Sequence, residues 1–277
     1  MAPGKGNRAS ASARASGAGE FFYLTAAGHR LRAQWLGAAG APDARSLVFL
    51  HQGLGSIPQW KGFPAALCQA TGLPGLAYER WGFGGSEALV LPRPADHLDF
   101  EAERALPEVL DACAIAHPVL IGHSDGGTIA LLHAAAFPDR VAACITEAAH
   151  VFVEDISRQA ISAVIARWRS GDLRARLAKY HGANTQAMFR GWAETWLGPE
   201  FRDWNMAARL PAITCPILVI QGAEDAHGSQ AQVEAISRGV SGPVETWIIP
   251  DCGHSPHLEA PEAVVARLAA FIAALPA

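Results

Sequence analysis

Short apolar runs, each followed by a polar or glycine-rich turn and then a stretch of helical period, recur along most of the chain. Apolar runs that do not alternate with polar residues suit strands covered on both faces. Strands are predicted on this basis at 21–25, 31–36, 46–50, 75–78, 118–122, 141–145, 216–221 and 244–249. Helices are predicted from about 59 to 70, and at 100–114, 128–136 and 262–275. Strands alternating with helices imply an α/β fold, with a mostly parallel, doubly wound sheet and helices on both faces.

Residues 151–209 break the alternation. They carry helical patterns around 156–168, 172–180 and 185–196 and no convincing strand. They are read as a helical cap inserted between two strands of a core formed by 20–150 and 210–277. Such an insertion can cover the carboxyl ends of the strands, where open α/β sheets bind ligands. Residues 1–19, rich in Ala, Ser and Gly with Lys5, Arg8 and Arg14, are read as a flexible tail.

Composition narrows the function. The 277 residues are 50% hydrophobic and 17% charged, enough apolar material for a large globular core. A net charge of −4 with no basic face gives nucleic acid nothing to hold, and no apolar run is long enough for a membrane span. Five cysteines, an odd count without a CxxC pair, suggest neither a disulfide framework nor zinc, but buried thiols in a reducing, cytoplasmic setting. HExxH and GxxxxGK[ST] are missing, and no GxGxxG opens a first βα unit, so no metal or other cofactor is expected. The expected partner is a small-molecule substrate, and a homodimer is left open.

The strongest chemical signal is Gly122-His123-Ser124-Asp125-Gly126-Gly127, a G-x-S-x-G between a strand and a helix. That context is a nucleophile elbow: a tight turn presents the serine hydroxyl at a helix N-terminus, where N–H groups favour developing negative charge. A serine needs a base, and His254 follows the last strand, with His257 three residues on as its competitor. The imidazolium needs a carboxylate. Asp225 follows the strand at 216–221; Glu224 beside it and Glu147 after the strand at 141–145 are alternatives. Oxyanion donors are expected from the backbone N–H of Asp125 and from the loop after the third strand, with Gly53 preferred over Gln52.

These motifs are similar to those of the α/β-hydrolase superfamily along nearly all of 21–277. The resemblance rests on HQGLGS, RWGFGGS, GHSDGG, GAED and DCGHSPHLEAPE, in that order. It implies a Ser124–Asp225–His254 triad in the branch of esterases, carbon–carbon hydrolases and cofactor-free haloperoxidase-like enzymes. Relatives with aspartate at the elbow, the dehalogenases and epoxide hydrolases, are disfavoured by Ser124. Gln52 stands where many relatives have glycine, and Glu79 lies near the usual acidic position of the RWGFGGS motif. The expected activity is hydrolysis of a small to medium carboxylic ester with an apolar or aromatic group. Trp81, Phe152, Met188, Phe189 and Trp192 are the expected pocket residues. Thioester or carbon–carbon cleavage by the same triad is the alternative; the latter calls for a substrate-binding arginine such as Arg80 or Arg190. A non-catalytic receptor is the alternative of another class.

Overall fold

The computed structural model describes residue 17 and residues 19–37 and 45–276, so most of the expected tail lies outside the described residues. Eight strands form one sheet: β1 (Phe21–Ala26), β2 (His29–Leu36), β3 (Ser46–Leu50), β4 (Gly75–Tyr78), β5 (Pro118–His123), β6 (Ala143–Glu147), β7 (Ile217–Gly222) and β8 (Val244–Ile249). Their spatial order is β1-β2-β4-β3-β5-β6-β7-β8. β2 runs antiparallel to both its neighbours, and every other pairing is parallel. Strands β3 to β7 are buried at every position, the physical reason for the apolar runs that make up most of each. The edge strand β1 instead alternates exposed and buried residues.

Each face of the sheet carries its own core. Leu47 and Phe49 of β3 pack with Phe63 and Leu67 of α1 (Phe63–Thr71) and with Leu268 and Phe271 further along the chain. Val48 and Leu50, pointing the other way, join a second core. That core includes Leu106 and Leu110 of α2, which runs through His97–Phe100, a π-turn at Glu101–Ala105 and Leu106–Ala112. It also includes Ile129 and Leu132 of α3 (Asp125–Ala136). Between β6 and β7 stand α4 (Asp155–Ser170), α5 (Asp172–His181) and α6 (Thr185–Leu197). After β7 come α7 (Gln230–Gly239), then β8, α8 (Pro256–Glu259) and α9 (Pro261–Ala273). Among the described residues no helix is long and apolar enough to cross a membrane.

Several boundaries differ from the sequence pattern. The helix expected from 59 to 70 is two pieces, a 3-10 turn at Ile57–Trp60 and then α1, because Lys61 at φ 56° and Gly62 interrupt it. β6 lies two residues later than expected: its pairing with β5 begins at Ala143 opposite Val119 and ends at Glu147 opposite His123. The polar pair Thr146 and Glu147, both fully buried, hid that end of the strand. α3 starts at Asp125, three residues earlier than expected, because Gly126 and Gly127 form its first turn.

Candidate active site

The parallel register sets the site. His123 of β5 lies opposite Glu147 of β6, and Glu147 opposite Ile220 of β7, so the loops after these strands leave from one edge. Ser124 takes the step from strand to helix at φ 54°, ψ −120°, a conformation that strains any residue with a side chain. Two contacts hold it there. Its N–H donates to the carbonyl of Glu147 at 2.8 Å. Helix and strands also approach so closely that a methyl group on Gly126 would collide with the carbonyl oxygen of Leu50, and one on Gly122 with that of Gly126. The serine is left 8% exposed.

The structure brings Ser124, His254 and Asp225 together. His254 Nε2 is 3.1 Å from Ser124 Oγ, and His254 Nδ1 is 2.9 Å from both Asp225 oxygens. A carboxylate only accepts, so Nδ1 carries the proton and Nε2 is left to accept from the serine hydroxyl. Asp225 is further fixed by the His227 main-chain N–H at 2.7 Å and by Gln221 Nε2 at 2.7 Å. Burial works against its ionisation, but the bond from His254, that ring's positive charge and the His227 N–H outweigh it and hold the carboxyl below its ordinary range.

The competitors for these roles stand elsewhere. Glu147 is buried and accepts from His257 twice, from Nδ1 at 2.7 Å and from the main-chain N–H at 3.1 Å. It forms a second carboxylate–imidazole pair that does not touch the serine. The Glu224 side chain is exposed.

Gly53 and the Asp125 carboxylate face one another: a methyl on Gly53 would lie 2.9 Å from Asp125 Oδ2 and would collide with the indole nitrogen of Trp192. Among the described residues, the main-chain N–H groups of Gln52, Gly53 and Asp125 donate no hydrogen bond. Of the five expected pocket residues, Trp192 thus reaches the loop after β3 at Gly53. Met188 and Phe189 are buried in the core, Phe189 stacked on Trp168 at 3.9 Å. Phe152 forms a β-bridge with Asn205. Trp81 stacks on His29 at 3.9 Å and donates to the carbonyl of Ala88; it borders a cavity of about 300 Å³ with Leu89, Arg93, His97 and Glu101. Arg190 is a half-exposed surface residue paired with Glu194.

Three histidines to which the sequence reading gave no role crowd His254. The rings of His227, His123 and His150 lie 4.5, 5.1 and 6.0 Å from it. His123 Nε2 donates to the His254 carbonyl at 2.7 Å, and His150 Nε2 to the His227 carbonyl at 3.0 Å. Burial, and then the charge of His254, holds His227 down at about 4. Burial likewise lowers His123 and His150, so neutral rings surround the one placed to gain a proton. The position of His123 inside the elbow motif was the available signal; His150 and His227 carried none. Among the described residues no group of three or more His, Cys, Asp or Glu is arranged to hold a metal.

The chain is 26% identical over 191 residues to serine hydrolase BPHL of Homo sapiens, covering 66% of this chain and 64% of that protein. It is 27% identical over 260 residues to 2-succinyl-6-hydroxy-2,4-cyclohexadiene-1-carboxylate synthase of Serratia proteamaculans, covering 84% and 95% of the two chains. In structure it is similar to the enol-lactonase of Burkholderia xenovorans, with a TM-score of 0.70 at 21% identity over 91% of this chain and 100% of that one. The family model described as the alpha/beta hydrolase family matches residues 47–267, from β3 into α9, and the chain belongs to that family.

Proposed function

We propose that the protein is a serine hydrolase that cleaves small to medium carboxylic esters through an acyl-enzyme, with Ser124 as nucleophile, His254 as base and Asp225 as orienting acid. The observation that carries this reading is the unbroken line from Ser124 Oγ through the two nitrogens of His254 to Asp225. His254 takes the hydroxyl proton as Ser124 attacks the ester carbonyl, then returns it to the leaving alcohol; water reverses the sequence and frees the acid. The N–H groups of Asp125 and Gly53, with Gln52 second, receive the oxyanion. Helices α4 to α6 act as a cap, and Trp192 beside Gly53 favours an apolar or aromatic group near the scissile bond. Carbon–carbon hydrolysis has less support: Arg190 pairs with Glu194 on the surface, and Arg80 is spent on main-chain carbonyls.

Turnover of p-nitrophenyl acetate, butyrate and octanoate, together with labelling by a fluorophosphonate, tests the proposal. Wild type should turn over and label at Ser124, and Ser124→Ala should lose labelling and about three or more orders of magnitude in kcat. Absence of both labelling and turnover in wild type would overturn it.

A further inference from the structure

Arg80 follows β4 and is 2% exposed. Its Nη1 donates to the carbonyl of His51, and its Nη2 to the carbonyl of Gln52 at 3.1 Å. Its main-chain N–H donates to His51 Nε2 at 3.2 Å, and His51 Nδ1 donates in turn to the Gln52 carbonyl at 2.8 Å. On its other side, Nη2 lies 4.0 Å from Asp125 Oδ2. One buried guanidinium therefore meets both elements that flank Ser124, the loop after β3 and the first residue of α3.

Peptide geometry gives these contacts a direction. In a trans peptide the C=O and the following N–H point opposite ways, and the peptides at 51–53 are trans. A guanidinium that gathers the carbonyls of His51 and Gln52 on one side turns the N–H groups of Gln52 and Gly53 to the other. Neither of those two N–H groups donates a hydrogen bond to another described residue. Charge adds a second effect. The side chain of Asp125 is 3% exposed, and a buried carboxylate on the residue whose N–H faces an oxyanion opposes that oxyanion unless a cation offsets it. Arg80 is placed to offset it.

We propose that Arg80 is the positioning residue of the oxyanion hole: it aims the Gln52 and Gly53 N–H groups through the carbonyls behind them, and it neutralises Asp125. The inference rests on the serine-hydrolase reading. Burial, with Arg80 second, keeps the His51 ring neutral, which matches its paired role as donor to Gln52 and acceptor from Arg80.

The test compares Arg80→Met, Arg80→Lys, Asp125→Asn and the Arg80→Met/Asp125→Asn double variant. The readouts are kcat and KM on the best p-nitrophenyl ester, and affinity for a trifluoromethyl ketone, which adds Ser124 and forms an oxyanion. Arg80→Met should lower kcat by about 10²–10³-fold, the scale of a lost oxyanion donor, and weaken the ketone in parallel, with KM within about threefold. Arg80→Lys keeps the charge without the fork and should fall between. The combined loss in the double variant should be smaller than the product of the single losses by about fivefold or more, because removing the carboxylate removes the need for its cation. Unchanged kcat and ketone affinity in a folded Arg80→Met would overturn the proposal, as would losses confined to KM. If Arg80→Met does not fold, the same two readouts on Arg80→Lys decide. Fluorophosphonate labelling of wild type separates the two readings: without it the hydrolase reading fails, and with it an inert Arg80 sinks this inference alone.

Discussion

The main-chain N–H of Ser124 donates to the carbonyl of Glu147 at 2.8 Å, while the Glu147 carboxylate turns away to His257 at 2.7 Å. One residue therefore holds Ser124 by its backbone and an unrelated imidazole by its side chain. The carboxylates of Glu147 and Asp225 are then separable by mutation. Asp225→Asn should lower kcat by about 10⁴-fold, because His254 loses the acceptor that fixes its tautomer. Glu147→Gln keeps the carbonyl and should instead lower stability, by about 1–3 kcal/mol for a disturbed buried hydrogen-bond pair. Paired measurement of kcat and denaturant midpoint checks this; a larger kcat loss from Glu147→Gln than from Asp225→Asn would reverse the assignment.

Acid should destabilise the protein, starting well above the carboxylate range. Burial holds both His227 and His133 down at about 4 in the folded chain, whereas a free imidazole titrates near 6.5. Between those values the unfolded chain binds protons that the folded chain does not, so the stability contributed by these two rings falls as pH drops through about 6.5 and is spent by about 4. Asp225, held below its usual range despite its burial, acts in the same direction at lower pH. Its contribution is complete above the ordinary aspartate value of about 3.9 and is lost as pH falls through its folded value. Denaturant midpoints at pH 7.5, 6, 5 and 4 should decline, and His133→Gln should flatten the slope. A level profile over that range would contradict the neutral, buried rings.

Gly53→Ala should damage activity more than folding. Its methyl group meets the Trp192 indole and the Asp125 carboxylate, both side chains, and no main-chain atom is among its nearest contacts. The expected result is a kcat loss of about 10²-fold, the scale of one displaced oxyanion donor, with the unfolding free energy lowered by less than about 2 kcal/mol. Adding Trp192→Ala should recover part of kcat by making room. No recovery would mean that the glycine matters for its backbone angles and not for space.

Glu79 gives a stability prediction remote from the chemistry. Its buried carboxylate takes Arg32 Nε at 2.7 Å and Nη2 at 2.8 Å, the Gly85 N–H at 2.7 Å and the Ile57 N–H at 3.1 Å. It thereby ties β2 to the loops after β3 and β4. Glu79→Ala leaves a partly buried guanidinium and two N–H groups without an acceptor, and should cost about 3–5 kcal/mol in equilibrium unfolding. A loss below 1 kcal/mol would count against that role.

The sheet was legible because strands covered on both faces cannot avoid unbroken apolar runs; β3, β5 and β7 were located within a residue or two. The elbow was legible because close packing at Gly122 and Gly126 leaves a compositional trace. The end of β6 was not, since Thr146 and Glu147 are polar yet buried, and only tertiary contacts decide that. His150, His227 and Gln221 were missed for a related reason. Gln221 bonds Asp225 and the Gly228 carbonyl, His150 the His227 carbonyl, and His227 reaches Asp225 through its main-chain N–H; isolated bonds of this kind impose no pattern on neighbouring residues. Arg80 was read as a substrate-binding candidate because its charge is visible in the sequence, whereas the carbonyls that absorb it are not.

The packing around Gly126 also sets where this protein can change. The atom a side chain there would strike belongs to the backbone of β3, so no substitution elsewhere can make space for it. The obstacles at Gly53, by contrast, are two side chains, Asp125 from α3 and Trp192 from α6, which are themselves replaceable. Heritable variation in what the enzyme accepts is therefore channelled into the loops and the inserted helices. The turn that carries Ser124 is closed to it by geometry alone, whatever the selection on catalysis.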